Sequence, residues 1–257
     1  MMGNVLIVAT NHDSLKQTPR TTGLWFSELT NFYDKLKHRH IMTVISPKGG
    51  EIPLDHRSLI GLFKSHKLRK YYRAPGFRRL LEHSLSPGEV NASDYDAIYF
   101  TGGHGTMWDF PENKELQQLT GAIYENGGIV AAVCHGPAAL LHVKLSDGSY
   151  LLQDKTVTGY SDREEAISLN KHEIPYSLEE NLKIRALTYR KDAIPFKGHV
   201  EADDRVITGQ NPASVKGVAK AVINRLEQKE FAEHPRSFRA VLRIPEEEQI
   251  LRRKPAP

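Results

Sequence analysis

One cysteine stands in the 257-residue chain, Cys134, within Ala131-Ala-Val-Cys-His-Gly-Pro-Ala-Ala-Leu140, where an apolar run breaks into the start of a helix. A nucleophile on such a strand-to-helix turn is presented to a cleft, and the helix N-terminus beside it favours thiolate over thiol. Ala132 and Gly136, two residues to either side, are small enough for other backbone to pass close by. His135 follows directly, and Pro137 fits the first helical turn, where its missing N–H costs nothing. A buried structural cysteine is the bland alternative. The turn chemistry argues for the nucleophile, with a thiol expected to titrate below the free value of about 8.5.

Two further segments carry groups of the right kind. From Thr22 to Lys37 the apolar positions Trp25, Leu29, Phe32 and Leu36 recur at helical spacing, and Glu28 sits at the edge of that stripe. Its carboxylate is either a shielded edge residue or a desolvated acid with a raised pKa, suited to moving a proton near neutral pH. Thr101-Gly-Gly-His-Gly-Thr-Met-Trp-Asp109 follows an apolar run, and Gly102, Gly103 and His104 form a loop whose backbone N–H groups suit an oxyanion. A phosphate loop is disfavoured, because no Gly-Lys-Ser/Thr ending follows and the spacing is not the dinucleotide fingerprint. His104 and Asp109 read as hydrogen-bonding residues of that loop.

These segments need a scaffold, and the pattern supplies one. Short β-branched runs at Val5–Ala9, Ile41–Ser46, Ala97–Phe100, Ile129–Val133, Thr156–Thr158 and Arg205–Thr208 alternate with helical patterns. That predicts an α/β fold with a mostly parallel sheet covered by helices on both faces. Sites in such sheets form beyond the carboxyl ends of the strands, so the turns after the third and fourth runs converge on one cleft. A last core-facing helix starts after Asn211-Pro212, with Val215, Val218, Ala219, Val222 and Leu226 on one face.

Composition bounds the rest. The length suits one large domain, read as residues 1–229 with a basic insertion near 61–90 and a charged extension at 230–257. A single Cys permits no intrachain disulfide, the start lacks a basic leader, and no run reaches membrane-spanning length. A soluble cytoplasmic protein with no membrane partner is expected. The net charge of +4 is concentrated at Lys64, Lys67, Arg69, Lys70, Arg73, Arg78 and Arg79. No nucleic-acid motif accompanies them, so a solvated insertion shaping the cleft entrance or a subunit contact is expected, as it is for the extension.

Taken together, Ser46-Pro47-x-Gly49-Gly50-x-x-Pro53-x-Asp55, Gly102-Gly-His-Gly105, Ala132-Val-Cys-His-Gly-Pro-Ala138 and Thr208-Gly-Gln-Asn-Pro-Ala-Ser214 resemble the ThiJ/PfpI superfamily, with its class I glutamine amidotransferase-like fold. Within it they are most similar to the glyoxalase III-like and heat-shock holdase branch, to which Thr22-Gly-x-x-x-x-Glu28 also corresponds. The resemblance spans roughly Val5 to Leu226. It implies a flavodoxin-like sandwich with a nucleophile elbow at Cys134, His135 beside it and Glu28 across the cleft. A downstream carboxylate orienting the histidine is also implied, within Thr158–Glu165, where the spacing favours Glu165 and Asp162 and Glu164 are the alternatives.

The implied activity is glutathione-independent conversion of a 2-oxoaldehyde such as methylglyoxal to a 2-hydroxy acid, a lyase of D-lactate dehydratase type, or a related protein deglycase acting on a glycated substrate. No cofactor is required. Among 12 histidines no spacing reads as a metal site, and a homodimer is expected. Three other readings use the same cysteine or none: a PfpI-type cysteine peptidase or amidase, a glutamine amidotransferase-like hydrolase through His199-Val-Glu201, and a stress-response holding chaperone, which needs a large exposed apolar patch.

Overall fold

Aliphatic and β-branched residues at the centre of the sequence pattern become strands because only a sheet buried on both faces accommodates such unbroken runs. The computed structural model describes residues 2–15, 20–168 and 173–233, with backbone alone at 62, 64 and 230–233. In chain order it contains β1 (Asn4–Val8), α1 (Phe26–Leu36), β2 (Ile41–Ile45), α2 (His56–Leu59), α3 (Gly61–Lys64), α4 (His66–Arg73), α5 (Pro75–Glu82), β3 (Ala97–Phe100), α6 (Thr106–Asp109), α7 (Lys114–Glu125) and β4 (Ile129–Val133). After a short 3-10 turn at Gly136–Leu140 come β5 (Thr156–Val157), α8 (Asp162–Ile167), α9 (Leu178–Arg185), β6 (Thr188–Tyr189), β7 (Val200–Asp203), β8 (Val206–Gly209) and α10 (Val215–Glu233).

The main sheet has the order β2-β1-β3-β4-β8-β7, parallel except for the β7 edge. β1 runs left to β2 and β3 runs right to β4, so right-handed crossovers place α1 and α7 on opposite faces. α10 packs beside α1 and over β4 and β8. The fold is the expected flavodoxin-like α/β sandwich. Two expectations need correction. Thr156–Thr158 does not join the main sheet: its β5 pairs in parallel with β6 in a separate two-stranded sheet. An antiparallel edge strand, β7, also joins the sheet beside β8, where the sequence pattern marked no strand.

The core forms where α1 meets the sheet. Phe32 stacks on Tyr99 of β3 with ring centroids 3.7 Å apart, and both rings are wholly buried. Burying each such side chain contributes about 1.5–3 kcal/mol. Glu28 is one turn up the same face of α1, so the packing that fixes Phe32 also fixes the carboxylate.

The basic stretch folds as α3 to α5 and packs, outside the sheet, on the outer side of α1. Its buried residues Leu68, Tyr71, Phe77 and Leu81 alternate with exposed basic ones, and Tyr71 and Phe77 close an aromatic cluster with Tyr33. The Tyr71 hydroxyl donates to Asp34 at 2.6 Å. The position taken as a boundary, 229/230, falls inside α10, and residues 234–257 of the extension lie outside the described residues. No described helix is long and apolar enough to cross a membrane.

Candidate active site

Cys134 ends β4 in a left-handed backbone conformation, φ +60°, which a non-glycine residue adopts only under strain of order 1–3 kcal/mol. Two hydrogen bonds hold it there. Its N–H donates to Gly209 O at 2.8 Å, and its carbonyl accepts from Tyr160 N at 2.9 Å. The sharp turn thus lies between β8 and the segment after β5, with the Cys134 side chain beside Gly102 in the turn that follows β3.

Glu28 lies on the far side of the thiol and is completely buried. One carboxyl oxygen, Oε2, accepts from Gly102 N at 2.6 Å, whereas Oε1 is buried with no hydrogen-bond partner among the described residues. Burial raises its pKa to about 8 against the lowering effects of the Gly102 N–H and the Cys134 thiol. Of the two readings open in the sequence, the desolvated acid is the one observed. Cys134 departs from expectation: burial first, then the Glu28 carboxylate, push its thiol up instead of down. The expected helix N-terminus is only a 3-10 turn at Gly136–Leu140, too short to supply a useful dipole, and the charges that act on the sulfur, from Glu28, Glu164 and Glu165, are acidic. Thiol and carboxyl behave as one coupled pair in which losing the second proton is hard.

On the other side of the sulfur, Cys134 Sγ lies 3.3 Å from His135 Nδ1, and His135 Nε2 lies 2.8 Å from Glu165 Oε2. Glu165 is set by α8, whose capping box joins Ser161 and Glu164. Burial would raise Glu165, but His135 and the ring N–H of His104 outweigh it and hold the carboxyl well below the usual range. Burial first and then His104 lower the His135 pKa, with Arg57 acting in the same sense and Glu165 opposing them. The neighbouring acids are committed elsewhere. Glu164 accepts from Ser161, Gln210, Asn211 and the Phe196 N–H, and Asp162 accepts from Ser177.

His104 is brought into the site rather than left in its loop. Its Nε2 lies 2.7 Å from Glu165 Oε1, and its ring centroid is 4.1 Å from that of His135. Asp109, by contrast, accepts from Thr10 and from Asn11 N, tying the end of β1 to α6. Sequence reasoning missed two contributors. Arg57 faces His104 Nδ1 at 3.2 Å, and Tyr160 lies over His135 with centroids 4.5 Å apart. Neither sits on a periodic pattern. His199 pairs with Glu201 at 2.8 Å on β7, so the amidotransferase-like string makes its own contact while His135 partners the thiol.

The glycines leave no slack around this arrangement. A Cβ on Gly102 would stand 2.7 Å from Glu28 Oε2 and 2.8 Å from Cys134 Cβ, and one on Gly103, at φ +112°, 2.0 Å from Gly23 O. Gly102→Ala must therefore wedge acid and thiol apart. Displacements of this size cost about 10²-fold in rate, and a turnover assay alongside a melting curve checks that the loss is catalytic. His104, His135 and Glu165 are also the one group among the described residues whose ligand-type atoms all lie within 4.8 Å. Each facing atom is already engaged in the hydrogen bonds above, which is the pattern of a proton relay.

The matching family description is the DJ-1/PfpI family, over residues 28–225. A probable glutathione-independent glyoxalase of Schizosaccharomyces pombe, hsp3103, is 32% identical over 87% of this chain and 98% of that protein. Among solved structures, the 24 kDa Rapid Encystment Protein of Francisella tularensis superposes with a TM-score of 0.83 at 38% identity, covering 88% of this chain and 99% of that one. Glyoxalase III of Candida albicans gives 0.79 at 26% identity, covering 87% and 97%.

Proposed function

Because the chain belongs to the DJ-1/PfpI family, we propose that it is an enzyme of the glutathione-independent glyoxalase type, converting a small 2-oxoaldehyde such as methylglyoxal to the 2-hydroxy acid. The observation that carries this reading is the placement of one thiol between a completely buried carboxyl, Glu28, and the His135 imidazole 3.3 Å away. Cys134 loses its proton to His135 Nδ1, and its sulfur adds to the aldehyde carbon, giving a hemithioacetal. Backbone N–H groups of the Gly103 and His135 turns are the donors assigned to the oxygen. The C–H proton of the former aldehyde carbon then moves, through an enediol, to the neighbouring carbon. Glu28 and His135 carry the protons between carbon and oxygen. The product is a thioester on Cys134. Water cleaves the C–S bond, releases the 2-hydroxy acid and restores the thiol.

The reaction adds one water overall and needs neither glutathione nor a metal. With Cys134 only 3% and His135 only 1% exposed, the site favours a three-carbon aldehyde over a polypeptide. Purified protein should release D-lactate from methylglyoxal in the absence of glutathione. Release of ammonia from glutamine, or cleavage of small peptides, without lactate would overturn the proposal.

A further inference from the structure

The contacts around Glu165 extend past the three residues that do the chemistry. Asp55, fully buried at the start of α2, grips Arg57 through three hydrogen bonds: its Oδ2 accepts from Nη2 at 2.7 Å, and its Oδ1 accepts from Nε at 3.1 Å and from the backbone N–H at 2.9 Å. The same Nη2 reaches His104 Nδ1 at 3.2 Å. From there the path runs through His104 Nε2 and Glu165 Oε1 (2.7 Å), then Glu165 Oε2 and His135 Nε2 (2.8 Å), to His135 Nδ1 and Cys134 Sγ (3.3 Å).

We propose that Arg57 and His104 are positioning residues that set the direction of every hydrogen bond in this chain and so leave the lone pair of His135 facing the thiol. The reasoning starts from a group with no choice. A guanidinium donates and never accepts, so His104 Nδ1 must be the unprotonated nitrogen. The ring proton of His104 is then on Nε2 and is donated to Glu165 Oε1. A carboxylate only accepts, so Oε2 in turn draws the proton of His135 to Nε2. His135 Nδ1 is left as the acceptor, 3.3 Å from the sulfur. Without the arginine, the contact that keeps His104 Nδ1 bare is lost, and the ring proton can occupy Nδ1. Its Nε2 would then present a lone pair to Glu165, and the second donor on that carboxylate would disappear.

Charge acts in the same sense. The groups facing His135 are Cys134 with Glu28 beyond it on β4 and α1, His104 on the β3 loop, Arg57 on α2, Tyr160 after β5, and Glu165 with Glu164 on α8. Among them Arg57 is the fixed cation. Its charge opposes a second proton on His135, and Asp55 stops it from swinging to Glu165 directly.

This inference rests on the proposed function only in taking Cys134 as the reacting group, and its test does not need turnover. Histidine-selective ¹⁵N NMR of the wild type, assigned with His104→Gln and His135→Gln, should show His104 and His135 both protonated on Nε2 and bare on Nδ1. In Arg57→Met, His104 should populate both tautomers, and the midpoint of His135 should rise by about 0.5–1 pH unit. Arg57→Lys, which keeps the charge but not the fork, should return the midpoint toward wild type. The acid limb of kcat/KM for methylglyoxal should move with that midpoint. If Arg57→Met fails to fold because it orphans Asp55, the double variant Asp55→Asn/Arg57→Met carries the same expectation. Unchanged tautomers and midpoint in a folded variant, with activity lowered equally at all pH values, would overturn the assignment. Absence of methylglyoxal turnover in the wild type would remove the proposed function and leave the NMR result to decide the relay.

Discussion

Cys134→Ala is expected to reduce methylglyoxal turnover by about 10⁴-fold or more, to the background of the buffer, because no other group in the cleft can form the thioester. Cys134→Ser should do no better. A hydroxyl is a far weaker acid than a thiol, and the acidic surroundings that already raise the thiol would raise the hydroxyl too. The variants also test the elbow. Ala keeps the penalty of the left-handed backbone at φ +60° and Gly does not, so Cys134→Gly should melt above Cys134→Ala, by an amount corresponding to about 1 kcal/mol. Lactate formation by a folded Cys134→Ala protein would show that the thiol is not the nucleophile.

Glu28→Gln is the second large effect, with kcat lowered on the order of 10²-fold or more while the fold is retained. The amide keeps the shape and the contact with Gly102 but cannot exchange a proton with the substrate. A wild-type basic limb near pH 8 should be absent from what activity remains. Stability should move the other way. The folded-state pKa of about 8 lies above the ordinary 4.5, so between those values the folded chain holds a proton that the unfolded chain has released. Wild-type stability therefore falls as pH rises through this window, and Glu28→Gln escapes the fall. At pH 9 the variant should melt above the wild type, and at pH 4 the two should nearly coincide. Equal melting curves at pH 9 would mean that Glu28 is not held in a desolvated site.

The parts of this site legible in the sequence are those written in local pattern. Ala132, Cys134, Gly136 and Pro137 announce a turn by their own sterics, and the spacing of Leu29, Phe32 and Leu36 puts Glu28 beside the buried stripe. Whether Glu28 is shielded or desolvated depends on Gly102, seventy-odd residues away in the chain, whose missing side chain lets acid and thiol meet. The choice among Asp162, Glu164 and Glu165 is likewise decided by partners elsewhere, since Gln210, Asn211 and Phe196 claim Glu164. The thiol's acidity was misjudged for a related reason. A helix dipole is a local inference, whereas the desolvation and the carboxylate that override it come from packing across the sheet. Arg57 carries no local signal at all, since its role is defined only by His104 and Asp55. β7 reads poorly because an edge strand with Glu201 and Asp203 lacks the apolar run that marks the central strands.

The position of β8 has a kinetic corollary. It pairs with β4 in the register Val130↔Val206 to Val133↔Gly209, and Gly209 O is the acceptor that holds the Cys134 N–H. The partners are separated in the chain by the whole segment that carries β5, α8, α9, β6 and β7, so their closure is among the high contact-order events of this chain and belongs late on the folding pathway. During refolding from denaturant, helix content should therefore recover before thiol reactivity does. The Cys134 turn would be a reporter of the final docking step, readable by stopped-flow alkylation of a residue that needs no introduced label.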